Sequence, residues 1–206
     1  MDYFNKTEEQ EFNDVKEWFK KNGTAILLVL VVISGSVFGW NFWKNHQLQS
    51  AQETSATYQQ VFESYLQDPA KNAPLVEKFI AENQGSAYAT FAQLGLAKEQ
   101  VVAGDFAKAK AALQTALANT SDATLQNLIR MRLAAVDFQL QNFDEALTTL
   151  GQVKDKAWEL RKQVLTGDIL VAKGDKAAAK SAYEQAKANA EAEQDKAQIE
   201  ARLNNL

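Results

Sequence analysis

Cysteine is absent from this sequence. Its absence removes disulfides, zinc–thiolate sites and thiol catalysis together, so a domain built from this chain is held by its core alone. Histidine occurs once, as His46, and proline twice, as Pro69 and Pro74. A lone histidine beside Lys44, at the edge of an apolar run, reads as an interfacial residue. There is no Gly-rich phosphate loop, no metal-ligand cluster and no nucleophile elbow. Asp105 and Asp175 follow glycine in tight turns, where aspartate serves capping and not chemistry. Catalytic, cofactor-binding and metal-binding residues are therefore not expected. No stretch alternates β-branched or aromatic residues with polar ones, so no sheet is expected either. The net charge of −4 is spread over interspersed acids and bases, which argues against a nucleic-acid surface.

Among what is present, Thr24–Trp43 stands apart: TAILLVLVVISGSVFGWNFW, without charge and without proline. About 20 apolar residues at roughly 1.5 Å each cross a hydrocarbon core about 30 Å thick. A helix satisfies its own backbone hydrogen bonds in lipid. A cleaved signal peptide would have a shorter apolar run followed by a small-x-small site. Here the run ends in Gly39-Trp40-Asn41-Phe42-Trp43-Lys44, with two tryptophans suited to an interfacial belt. Lys16, Lys20 and Lys21 precede the span, whereas only Lys44 follows before Lys71. The positive-inside rule then places residues 1–23 in the cytoplasm as a tail and residues 44–206 across the membrane. Phe12, Val15, Trp18 and Phe19 recur at helical spacing in that tail, which reads as an amphipathic helix or as a solvated segment. Gly35 and Gly39 form a GxxxG, a candidate face for pairing with another membrane helix.

Beyond the span the chain is rich in good helix formers. Asp68-Pro69 should end one helix, and Pro74 suits the first turn of the next. Gly85 should stop that helix, and Ser86 can cap another. From there the sequence repeats. Gly104-Asp105-Phe106, Gln141-Asn142-Phe143 and Gly174-Asp175-Lys176 open three turns, 37 and 33 residues apart. Seven residues before each turn stands a small residue: Ala97, Ala134 or Gly167. Leu113, Leu150 and Tyr183 follow at matching places. Small residues let paired helices cross closely, and Phe106 and Phe143 should dock the turns. This is the tetratricopeptide period of about 34 residues. The third unit departs from it, with Lys176 where the aromatic belongs.

The expected fold is all-α: a single N-terminal transmembrane helix, residues 24–43, followed by a tetratricopeptide-like solenoid. Repeat units should fall near 51–85, 86–121, 122–158 and 159–190, with 191–206 as a polar cap. The first helix of each unit lines the concave side of such a stack. That places Phe91, Leu94 and Val101, then Leu128, Met131 and Phe138, then Val164 and Val171 toward a candidate partner-binding groove. Lys98 and Arg161 are nearly its only cations, so an apolar or helical segment suits it better than an acidic C-terminus. The same side chains would serve equally as packing between units.

A polar tail, a span ending in GWNFWKNHQ and a short Ala-rich repeat domain together resemble the YfgM family, an ancillary subunit of the bacterial SecYEG translocon. Lys16–Gln47, including KEWFKKNG, carries the likeness most strongly. The resemblance implies a single-span protein of the Gram-negative inner membrane with a periplasmic repeat domain. It also implies association with the SecYEG translocon and the membrane-anchored periplasmic chaperone PpiD, with unfolded or helical polypeptides as clients. It carries over no catalytic residue. A different reading is a regulatory membrane protein whose cytoplasmic tail captures a soluble stress-response factor. Deleting Asp2–Glu11 separates the two, because a scaffold keeps its membrane partners and a regulator loses its output. The topology itself is testable. A reporter active only outside the cytoplasm, fused after Leu206, should be active, and the mature chain should retain Met1–Gly23. A mature N-terminus beyond Trp43 would refute the anchor.

Overall fold

A computed structural model describes residues 8–206, and side chains from residue 10 onward. The chain divides into two compact units, the first ending at Thr54 and the second running Ser55–Leu206. Helix α1, Glu8–Gln67, contributes to both. In the first unit the apolar side chains of α1 have no protein cover: Leu27 through Ile33, Val37 and Phe38 are all more than half exposed. This is the one helix among the described residues long and apolar enough to cross a membrane. Ser36 donates its hydroxyl to the carbonyl of Val32 at 2.7 Å, so the helix satisfies its own polar side chain within the apolar stretch. Trp40 and Trp43 lie 5.4 Å apart between ring centroids, and Trp18 and Phe19 make an edge-on pair at 5.3 Å. Gly35 and Gly39 face open space.

In the second unit every described regular element is helical. The last turns of α1 pack on α2, Pro69–Glu82, and α3, Ala87–Val102, through Tyr58, Phe62, Tyr65, Val76, Phe79 and Ala92. The helix break lies where Asp68-Pro69 places it, but α2 begins at Pro69 and not at Pro74. Asp68 is its N-cap, accepting from the Lys71 amide at 3.1 Å. Pro69 occupies the first turn, where a missing N–H costs nothing. Pro74 lies inside α2 and is exposed, which corrects the expectation that it opened the helix. Ser86 caps α3 through the Ala89 amide at 3.1 Å, after Gly85 at φ +79°.

Three further pairs follow. α3 returns as α4, Phe106–Asn119; α5, Ala123–Gln139, returns as α6, Phe143–Gly151; α7, Glu159–Lys173, returns as α8, Lys176–Ala188. The connecting turns share one hydrogen-bond pattern. Asp105, Asn142 and Asp175 donate their amides to the carbonyls of Gln100, Asp137 and Leu170 at 2.8, 2.8 and 2.9 Å. Gly104, Gln141 and Gly174 donate to Val101, Phe138 and Val171, each at 3.0 Å. These are Schellman turns, and they require a left-handed residue. Gly104 and Gly174 supply it at φ +76° and +89°, and Gln141 adopts it at φ 61° despite its side chain. Asp105 and Asp175 then cap the returning helices through the amides of Lys108 and Ala178.

The three cores follow the repeat. Leu94, Ala97, Leu113, Ile129 and Leu133 centre the first, with Phe106 against it. Ala134, Ala146, Leu150 and Ile169 centre the second, with Phe143 against it. Ala179, Tyr183, Ala186 and Ile199 centre the third, under the closing helix α9, Glu193–Asn204. Lys176, which replaces the aromatic, donates instead to the carbonyl oxygen of Leu206. The fold is thus an all-α tetratricopeptide-like array.

One tight helix crossing is at Gly167. A Cβ there would stand 2.3 Å from the Tyr183 ring. That ring is held, because its hydroxyl donates to Asp168 at 2.8 Å. Arg202 of α9 donates to the same carboxylate at 3.1 Å. Gly167→Ala should therefore overpack the α7–α8 crossing. Overpacking costs about 1–3 kcal/mol and outweighs the gain of about 1 kcal/mol from a better helix former. The full chain should melt lower, by roughly 2–4 °C per kcal/mol at this size. Gly151→Ala, at the last residue of α6 and facing open space, should hold the melt or raise it slightly. Equal melts for both variants would refute the tight crossing.

Candidate functional site

The eight side chains assigned to a groove do not form one surface. Phe91, Val101 and Val171 are exposed, at 39%, 37% and 40%. Leu94 and Met131 are core residues, 5% and 9% exposed. Leu94 belongs to the first core and Leu128 packs against it. Met131 belongs to the second, with Phe138 against it and its ring tilted at 6.1 Å from that of Phe143. Val164 packs on the third. Leu94 and Met131 are thus mostly turned into the cores, against the expectation of an exposed face. The physical reason is that α3 and α5 pack on their returning helices and on each other's unit. Apolar positions at helical spacing then serve the core as well as the face.

Phe91, Leu94, Val101 and Leu128 nevertheless come together between α3 and α5. Two adjoining cavities open there. One, of about 490 Å³, is lined by Leu94, Ala97, Val101, Val102, Phe106 and Val136 among others. The other, of about 410 Å³, is lined by Phe91, Leu94 and Leu128 with Tyr58, Phe62 and Leu66 of α1. Lys98 and Arg132 line both. Lys98 was expected there. Arg132 was not, because its place on α5 follows from the helix register and the sequence alone leaves several registers open. Arg161, the other expected cation, lies 5.8 Å over the Trp158 ring, a cation–π contact.

A second polar cluster escaped the sequence reading entirely. Asp137 is 2% exposed and accepts from Lys110 at 2.7 Å; Lys110 also pairs with Glu145. The hydrogen bonds to Asp137 and then to Glu145 hold the Lys110 ammonium above its ordinary range. This link ties α4 to α5 and α6 and so joins neighbouring helix pairs. Among the described residues no group of three or more His, Asp or Glu side chains is placed to hold a metal. His46 is exposed on α1.

The comparisons with known proteins bear on this arrangement. A family model described as a tetratricopeptide repeat-like domain matches residues 16–206. A protein of Haemophilus influenzae named ancillary SecYEG translocon subunit is 42% identical over 97% of this chain and 97% of its own length. A protein of the same name from Escherichia coli is 38% identical over 86% of this chain and 85% of its own length. This chain belongs to the ancillary SecYEG translocon subunit family. The repeat array and the apolar helix of α1 are thus both features of a family member. Among solved structures, PcrH from Pseudomonas aeruginosa superposes on 58% of this chain and 92% of its own, with a TM-score of 0.50 and 24% identity. At that identity the likeness is one of fold.

Proposed function

We propose that this member of the family is a membrane-anchored interaction module, an ancillary subunit of the Sec translocon that assists periplasmic chaperones with translocated polypeptides. In this reading α1 crosses the inner membrane once over residues 24–43. The tail at 1–23 is cytoplasmic, and the repeat domain, residues 44–206, is periplasmic. The partners are the SecYEG translocon, the chaperone PpiD suggested by the family resemblance, and apolar stretches of client polypeptide. Gly35 and Gly39, open on the span, offer a face for a second membrane helix. The observation that carries the reading is similarity to named translocon subunits along the length of the chain, span included. The open apolar face between α3 and α5 supports a binding role for the repeats, since contiguous exposed apolar surface marks interaction sites on folded domains.

Phe91 and Val101 are the anchors to test, because both are exposed and contribute little to the core. The double change Phe91→Ala with Val101→Ala should weaken capture of partner or client. A hot-spot truncation costs about 2 kcal/mol or more, roughly thirtyfold in affinity. The melt of the full chain should move little. Phe138→Ala should do the reverse, lowering the melt through the second core while sparing binding. Unchanged capture by the folded Phe91/Val101 variant would place binding elsewhere on the domain.

A further inference from the structure

Lys98 and Arg132 stand on opposite helices and line the same two apolar cavities. Arg132 is exposed and, among the described residues, pairs with no carboxylate. The Lys98 side chain is 72% exposed and reaches only its sequence neighbour Glu99, at 3.9 Å. Glu99 lines the second cavity as well, 30% exposed in its side chain, and at that distance it neutralises Lys98 weakly. Two cations thus project over apolar ground in a chain whose net charge is −4.

Most surface cations are simply solvated, and the pair would be unremarkable on a polar face. Its position changes that. A wholly apolar segment laid over Leu94 and Val101 would also cover Lys98 and Arg132, and stripping water from an unpaired charge is costly. A carboxylate brought between them removes that penalty and gains charge-assisted hydrogen bonds. The hollows adjoin and lie open at the surface, a form that takes successive side chains of a polypeptide better than an acyl chain, which needs enclosure.

We infer that the face between α3 and α5 selects amphipathic polypeptide segments that carry an aspartate or glutamate opposite Lys98 and Arg132. This rests on the reading of that face as a polypeptide-binding surface and names the class of segment it prefers. An all-apolar stretch is bound, but more weakly.

The test uses the full chain in nanodiscs of zwitterionic lipid. The probes are labelled Leu/Ala-rich peptides that differ only in bearing two glutamates, two glutamines or two lysines. The glutamate peptide should bind about three- to tenfold tighter than the glutamine peptide at low salt, and the lysine peptide weakest. The preference should shrink as salt shortens the Debye length. Lys98→Gln with Arg132→Gln should erase it and leave the glutamine peptide's affinity unchanged. Both side chains are exposed, so the variant should fold normally, which its melt will report. Equal affinity for glutamate and glutamine peptides would overturn the charge selection and leave the polypeptide-binding reading standing. So would a preference that survives the double variant. Failure of all three peptides to bind would overturn both.

Discussion

One left-handed residue per turn holds the repeat array together. Residues 104, 141 and 174 each take positive φ, and from that follow the paired amide–carbonyl bonds that close one helix and start the next. The turn fixes the angle at which the helices of a pair meet. That angle is usable only because Ala97, Ala134 and Gly167 stand at the crossings, all three buried. At Gly167 the partner is the ring of Tyr183, whose burial and bond to Asp168 hold its phenol well above the ordinary range. Gln141 shows how strongly the array imposes this geometry, since a glutamine there accepts a conformation that glycine adopts freely.

Local signals were the most legible part of the fold. Turns, caps and small crossing residues depend on near neighbours in the chain, so Gly85, Ser86, Gly104, Asp105, Gly174 and Asp175 announce themselves by type and order. Pro74 misled because proline is most at home in a first turn, while Pro69 held that place already and Asp68 supplied the cap. Non-local features were not legible. The pairing of Lys110 with Asp137 joins residues from different repeat units, and nothing in the spacing marks it among many helix-surface charges. Leu94 and Met131 share the helical spacing of the exposed Phe91. Whether such a position faces out or in depends on how the next pair leans across it.

The same dependence shapes the candidate binding face. Its floor is the first core, so Leu94 and Val136 serve stability and surface at once, while Phe91 and Val101 are free to serve a partner. Lys98 and Arg132, both exposed, add charge to that face. Apolar side chains and two cations thus line one face.

The central claim, that the face between α3 and α5 meets polypeptide at the membrane, is most directly tested by photocrosslinking in intact membranes with the full chain. A photoreactive residue at Phe91 should yield adducts with translocon subunits, chaperone or client chains, identified by mass spectrometry. The same residue at Ala111, exposed on α4, should yield few. Adducts from position 111 with none from position 91 would contradict the claim and move the interaction to the outer face of the array.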